Sequence, residues 1–363
     1  MSAKSFIGNP KPNRLSLNVS QKESRPLFSI IIVTWNALDH LQRFLPKVVG
    51  SDHPSFEIII ADNASNDRSA DWVKESYPDV RIASLDKNYG YCGGNNRATE
   101  YANGQILIFL NNDAEPDQRW LTALEKTFQD KKTGVVQPKI LAVDQSDYFE
   151  YAGAAGGYLD KMGYPFCRGR IFDTIEKDKG QYNEAGPIFW ASGAALAIRK
   201  DLFEEAGGFD EDFEFHMEEI DLCWRVHKMG FEVIYQPESV VYHLGGGSLP
   251  MGNPRKVFYN YRNNLVMLTK NLDQNPFLII FGRLLLDGVS GIKSLLTGNP
   301  SDTWAIIRAH FAFYGQLSRT LQKRKLLKAK CRFPTPVNLI YSRSIVADYF
   351  LRGKKTFSEL DFN

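Results

Sequence analysis

The sequence predicts an α/β fold: a mostly parallel central sheet flanked by helices, followed by a helical extension. Three observations carry that expectation. Apolar, β-branched runs alternate with helical stretches through the first 110 residues, the signature of consecutive βα units. Each of the first four apolar runs ends in a cluster of polar side chains. From Arg255 onward the chain changes to long helix-compatible segments rich in Lys and Arg.

Residues 1–26 read as a polar lead-in, without the apolar core of a signal peptide. Pro26 precedes "LFSIIIVT" (27–34), a continuous apolar run expected of a strand buried on both faces. "ALDHLQRFLPKVV" follows as a helix, "FEIIIAD" (56–62) as a second strand, "RSADWVKESY" (68–77) as a helix and "VRIASL" (80–85) as a third strand. "GGNNRATEYA" (93–102) opens a helix leading into "QILIFL" (105–110), the fourth strand. Beyond it "VVQPKIL" (135–141) reads as a strand, 151–170 as a long Gly-rich loop, and "HMEEIDLCWRVHKMG" (216–230) as a helix stopped by Gly230. "FEVIYQP" and "SVVYHLGGG" are extended pieces, and 256–272, 277–297 and 303–330 are helices. The divisions expected are the lead-in 1–26, an α/β domain 27–252, a basic amphipathic region 253–330 and a tail 331–363.

A chain of 363 residues with a net charge of +2 suits one large α/β domain plus an appendage. The near-neutral total conceals a split. Residues 251–363 carry 18 Lys and Arg against 6 Asp and Glu, and residues 1–250 carry 26 against 36. Either the C-terminal third faces an anionic membrane surface or phosphorylated acceptor, or it docks on the acidic part of its own chain. The four cysteines form no CxxC pair, which argues against a zinc site or disulfide framework and for a reducing cytoplasm. No apolar run reaches membrane-spanning length; "FLIIFGRLLLDGVSGI" (277–292) is broken by Arg283 and Asp287. Nucleic acid is not an expected partner.

In a parallel sheet the ligand crevice lies beyond the carboxyl ends of the strands, and the polar clusters fall there. Asp62 in "DNASND" (62–67) can accept from a pyrimidine imide or ribose hydroxyl, with Asn63 and Ser65 beside it; Asp67 or Ser65 can equally cap the next helix. "NYGYCGGNN" (88–96) offers Asn88 and Asn95 to phosphate or sugar, and Gly90, Gly93 and Gly94 allow close backbone approach, yet it matches neither GxGxxG nor a P-loop. "NNDAEP" (111–116) places Asp113 as an anionic oxygen ligand for Mg²⁺ or Mn²⁺, with Asn111 as a neutral one; an ordinary surface turn is the alternative. "HMEEIDLCWR" supplies Glu218, Glu219 and Asp221, either a general base or acids complementing a helix N-terminus, with Asp221 set to pair with Arg225. His243, at a strand end before three glycines, is either an ordinary core or surface histidine or the residue that completes a metal site.

In order and spacing, "SIIIVTWN", "DNASND", "NYGYCGGNN", "LNNDAEP", "WASGAALAIRKDLFEEAGGFDEDF" and "EEIDLCWRVHKMGFEVIYQPESVVYHLGGGS" resemble the family 2 glycosyltransferases, in the rhamnosyltransferase-like branch of bacterial cell-surface polysaccharide synthesis. The resemblance spans about residues 27–270. It implies a GT-A fold, a nucleoside-diphosphate sugar donor (dTDP- or UDP-linked), a divalent cation and an inverting single displacement onto a glycan or lipid-linked acceptor. It places the metal at Asn111, Asp113 and His243. It places the nucleoside at Asp62, with Thr34, Asn36 and Asn88 nearby; Asn63, Ser65, Gly90, Asn95 and Asn112 complete the candidate donor site from the polar strand ends themselves. Glu219 inherits the role of base, with a Glu where the family usually has Asp and Glu218 as its rival. Trp190, Ser192 and Gly193 match an acceptor-facing segment. A nucleotidyltransferase is disfavoured, because "TWNALDHLQ" after strand one lacks the expected Gly-rich basic loop; a non-catalytic sugar-nucleotide-binding scaffold is the other alternative.

Overall fold

The computed structural model describes residues 26–245 and 253–362. Most of the polar lead-in and the predicted boundary at 252 lie outside them. The first half of the sheet follows from the apolar runs: β1 (Phe28–Thr34), α1 (Leu38–Val49), β2 (Phe56–Asp62), α2 (Ser69–Ser76), β3 (Arg81–Ser84), α3 (Gly90–Ala98) and β4 (Ile106–Leu110). These strands lie in the order β3-β2-β1-β4, all parallel. Side chains alternate between two cores because successive strand residues face opposite sides. Ile31, Ile59, Leu107 and Phe109 enter one core, and Ile30, Ile32, Ile60 and Ile108 the other. Both faces are thus covered, which is why these strands are apolar without a break.

The second half is mixed. After β5 (Ala114–Pro116), α4 (Trp120–Phe128) and β6 (Thr133–Ala142), the stretch expected to be a loop is instead a small second sheet. Its strands are β7 (Gly157–Asp160), β8 (Pro165–Cys167), β9 (Arg170–Ile171) and β10 (Thr174–Ile175). Strands this short show no readable alternation, and glycines make their turns and close approaches: a β-carbon on Gly157 would lie 2.0 Å from the Trp190 ring. Then come β11 (Gly186–Pro187), β12 (Ala195–Arg199), α5 (Lys200–Ala206), α6 (Glu218–Lys228) and β13 (Glu232–His243). β12 is antiparallel to β4 and β6, and β13 is parallel to β6. The two extended pieces expected around residue 237 are one strand with a register shift between Gln236 and Val240. Past that shift, the end of β13 pairs with β5, which sets His243 opposite Ala114.

Three long helices, α7 (Pro254–Asn271), α8 (Phe277–Leu296) and α9 (Pro300–Lys330), match the predicted segments, and β14 (Ile340–Tyr341) and α10 (Ile345–Phe350) follow. The last segment is not a free tail. β14 pairs with β7, and Tyr341, Phe357 and Phe362 pack with Tyr158 and Phe166.

Much of the C-terminal positive charge does dock on the chain's own acids. Lys270 reaches Asp210 and Asp221 at 2.7 and 2.9 Å, Lys323 reaches Asp210 and Asp212, and Arg319 pairs with Asp212 at 2.6 Å. Burial alone would raise the Asp210 carboxyl, but the two lysines hold it well below the usual carboxylate range. Asp221 also accepts from Arg225 at 2.9 Å and Asn271 at 2.7 Å, the structural role anticipated for it.

The loop before α6 is strained. Glu214, His216 and Met217 all have positive φ (58°, 67° and 74°), a region costly to residues with a β-carbon. Asn263 on α7 offsets this cost, its side-chain amide donating to the carbonyls of Phe213, Phe215 and His216 at 2.8, 2.6 and 2.8 Å. Asn263→Ala leaves the Phe215 and His216 carbonyls without their donor, while Phe213 O keeps Arg262, and is expected to lower stability by about 2–4 kcal/mol, measured by urea unfolding. An unchanged midpoint would remove Asn263 as the clamp.

Candidate active site

Parallel pairing brings the ends of β1 and β2 together, with Thr34 opposite Asp62. Thr34 is 1% exposed, and its hydroxyl has no hydrogen-bond partner. Asp62 accepts from the Ser65 amide at 3.1 Å, and Ser65 in turn accepts from the Asn36 amide at 3.0 Å. Asn36 adopts φ 48° and accepts from the Asn66 amide. These turns hold one another and leave Asp62 Oδ2 and Thr34 Oγ1 free of partners among the described residues. Asp67 takes the capping role, accepting from Ser69 at 3.0 Å and Leu38 at 3.2 Å.

Several candidates in this group are already engaged. Asn63 clamps the next loop, donating to the Gly90 carbonyl and accepting from the Tyr89 amide. Asn88 accepts from the Gly90 amide at 2.8 Å. Asn95 is 1% exposed and donates to Tyr91 O one turn back on α3. The polar composition of "NYGYCGGNN" therefore serves largely to shape a loop. Gly94 lets α3 close on β1 and Asn63, since a β-carbon there would lie 2.8 Å from Asn63 Nδ2.

The end of β4 meets the end of β13. His243 Nε2 lies 3.0 Å from Asp113 Oδ1 and 3.1 Å from the Asn111 amide, while its Nδ1 lies 3.2 Å from Glu150 Oε2. Asp113, Glu150 and His243 are all buried. Asn112 is turned aside, with Oδ1 3.4 Å from His40 Nδ1. Burial favours a neutral imidazole, but Asp113 and Glu150 outweigh it and raise His243 to about 10. The same pairing, against burial, keeps Asp113 low. Two buried carboxylates on one imidazole suit a cation. No cluster of three His, Cys, Asp or Glu side chains among the described residues forms a complete metal cage. A carboxylate and an imidazole, with the Asn111 carboxamide beside them, suit a Mg²⁺ or Mn²⁺ that takes its remaining oxygens from phosphate. Glu150 was not expected: it lies far from Asp113 in sequence, just before a glycine-rich stretch that reads as a loop.

Glu218 and Glu219 open α6, and each has a buried Oε2 without a hydrogen-bond partner. Burial raises both carboxyls; the Glu219 charge drives Glu218 well above the usual range, and Glu219 comes to about 7. Gly193 faces this pair, because a β-carbon there would sit 3.9 Å from Glu219 Cβ and 3.1 Å from the Tyr91 hydroxyl. Tyr91, a second residue missed in the sequence, donates to Gly193 O at 2.8 Å. The neighbouring Ala194 carbonyl accepts from the Asn111 amide, which joins the Glu pair to the Asp113 end of the site. Trp190 and Ser192 are buried, with their polar groups engaged by backbone carbonyls. The Trp190 indole is 4% exposed and donates to Tyr158 O, and Ser192 is 2% exposed and donates to Ala152 O at 2.6 Å. Both instead hold the segment that carries Glu150.

The family described as glycosyl transferase family 2 matches residues 29–207. Among curated relatives, the O-antigen biosynthesis protein RfbC of Myxococcus xanthus is 29% identical over 227 residues, 60% of this chain and 17% of that protein. The N-acetylglucosaminyl-diphospho-decaprenol L-rhamnosyltransferase of Mycobacterium tuberculosis is 25% identical over 234 residues, 59% of this chain and 75% of that protein. Two solved structures share the fold at low identity. GalNAc-T7 with UDP, GalNAc and Mn²⁺ has a TM-score of 0.57 at 16% identity, covering 83% of this chain and 58% of that one. Residues 1–349 of S. aureus TarS with UDP-GlcNAc have a TM-score of 0.54 at 15% identity, covering 84% and 86%. Residues 29–207 match as a family 2 glycosyltransferase domain, and the architecture is the GT-A fold.

Proposed function

We propose that the protein is an inverting glycosyltransferase. It moves a sugar, rhamnose being the favoured candidate, from a dTDP- or UDP-linked donor to a hydroxyl of a glycan or lipid-linked acceptor, on the cytoplasmic side of a membrane. The observation that carries this reading is the joining of two acidic centres through Ala194 and Gly193: Asp113 with His243 on one side, and the partnerless oxygens of Glu218 and Glu219 on the other. The names of the two relatives support a cell-surface polysaccharide and a polyprenyl diphosphate-linked acceptor.

Thr34 Oγ1 and Asp62 would meet the nucleoside, and Asp113, His243 and Asn111 would hold a divalent cation. Bound there, Mg²⁺ or Mn²⁺ would neutralise charge on the diphosphate. Glu219 removes the proton from the acceptor hydroxyl; that oxygen bonds to the anomeric carbon from the face opposite the diphosphate. The bond from carbon to diphosphate oxygen breaks, and the nucleoside diphosphate leaves with the electron pair. Glu219, raised by burial to about 7, is better poised for this than Glu218, which burial and the Glu219 charge push further above the usual carboxylate range.

The test is a thermal-shift screen of nucleotide sugars with and without Mn²⁺, followed by donor turnover. A cognate donor at a hundredfold excess over Kd is expected to stabilise the fold by about 2.7 kcal/mol, and more weakly without the metal. Stabilisation without turnover would point to the scaffold reading, and no response to any nucleotide sugar would overturn both.

A further inference from the structure

Helix α8 is inside out. Its buried residues are Arg283, Asp287 and Gly291, while Phe277, Leu278, Phe281, Leu285, Val289 and Ile292 are 53–78% exposed. At 3.6 residues per turn these apolar residues fall on one face. The polar face is fixed to the protein. The Arg283 guanidinium stacks 3.5 Å over the Tyr164 ring and bonds Met162 O, and Asp287 lies 3.2 Å from His310. The adjoining turns of α9 expose Trp304, Ile307, Phe311 and Tyr314.

We infer that the apolar face of α8 lies along an anionic lipid bilayer and is the contact by which the protein seats on a membrane. This rests on the proposed membrane-side acceptor and assigns the contact to particular side chains. Part of the basic charge of the expected amphipathic region is committed within the chain, since Arg319 and Lys323 are tied to Asp210 and Asp212 and Arg324 to backbone carbonyls. Across 277–330 the only acids are Asp287 and Asp302 against nine Lys and Arg. Lys293, Arg308, Lys325, Lys328 and Lys330 have no ion pair among the described residues. That charge favours an anionic leaflet over a second copy of the chain, whose hairpin would bring like charge to like. An apolar stripe with basic flanks is the pattern of a helix lying in the interface plane. Among the described residues no helix is long and apolar enough to cross a membrane.

The seat is mechanically close to the site. The Tyr261 hydroxyl of α7 and Ser290 Oγ of α8 are 2.6 Å apart, and the next residues of α7, Arg262 and Asn263, hold the loop that leads into Glu218.

The test uses the full chain and a Leu285→Glu/Ile292→Glu variant, both positions exposed. Each is sedimented with vesicles of phosphatidylcholine, alone or with phosphatidylglycerol, at low and high salt. The parent chain is expected to bind, better with phosphatidylglycerol; high salt removes that preference but not the binding, because the apolar contact is not screened. The variant is expected to lose on the order of a hundredfold in partition with unchanged thermal unfolding and unchanged donor hydrolysis in solution. Equal binding by both chains, or binding abolished by salt alone, would overturn the inference. So would absence of vesicle binding with a parent dimer that the variant converts to monomer. Donor hydrolysis is read separately, so failure of the membrane seat is distinguishable from failure of the glycosyltransferase reading.

Discussion

Glu219→Gln is expected to lower sugar transfer by on the order of a thousandfold while leaving nucleotide-sugar affinity within about twofold. The amide keeps the shape of the side chain but cannot accept the acceptor's proton. The parent enzyme carries a matching pH signature. Burial raises Glu219 from an ordinary 4.5 to about 7. The free enzyme therefore holds a proton there in mild acid, and kcat/KM should climb tenfold per pH unit below 7 and level off above it. Stability runs the other way. Between about 4.5 and 7 the folded chain binds the proton that the unfolded chain has released, so raising the pH through that window destabilises the fold. In Glu219→Gln both slopes should flatten. If instead Glu218→Gln removed activity and Glu219→Gln did not, the base would be Glu218.

Asp113→Ala is expected to abolish Mn²⁺-dependent stabilisation by the donor and to reduce turnover by at least on the order of a hundredfold. The substitution takes away the negative oxygen at the mouth of the pocket and leaves His243 with Glu150 alone behind it. Asn111→Ala, which removes only an uncharged contact at 3.1 Å, should cost less. Calorimetric titration of Mn²⁺ with a nucleoside diphosphate present would read the difference. Full retention of the metal response in Asp113→Ala would place the cation elsewhere.

The strand ends could be read in the sequence because a buried parallel strand has to be apolar along its length and has to stop at a polar loop. Thr34, Asp62 and Asn111 follow from that rule alone, and Asp113 lies two residues further on. What could not be read was which polar atoms other parts of the chain had already engaged. Asn63 and Asn95 look like ligands as letters, yet one clamps a loop and the other bonds its own helix. Trp190 and Ser192 lie in the expected segment with their polar groups turned into the fold. Glu150 and Tyr91 were missed for the converse reason, since contacts made across the sheet give them their meaning. The small second sheet escaped because its strands have two to four residues and its glycines resemble loop composition.

The clamp that Asn263 places on the loop before α6 bears on how the chain can be divided. A boundary near residue 252 looks natural by composition, with acidic sheet on one side and basic helices on the other. The backbone carbonyls of 213, 215 and 216, and the carboxylates of Asp210 and Asp221, nevertheless find their donors on the far side of it. The C-terminal helices are therefore no detachable cassette. A chimera that borrows them from another protein must import the partners of those five acceptors along with any new address, or it will carry the acids of the site without the geometry that orders them.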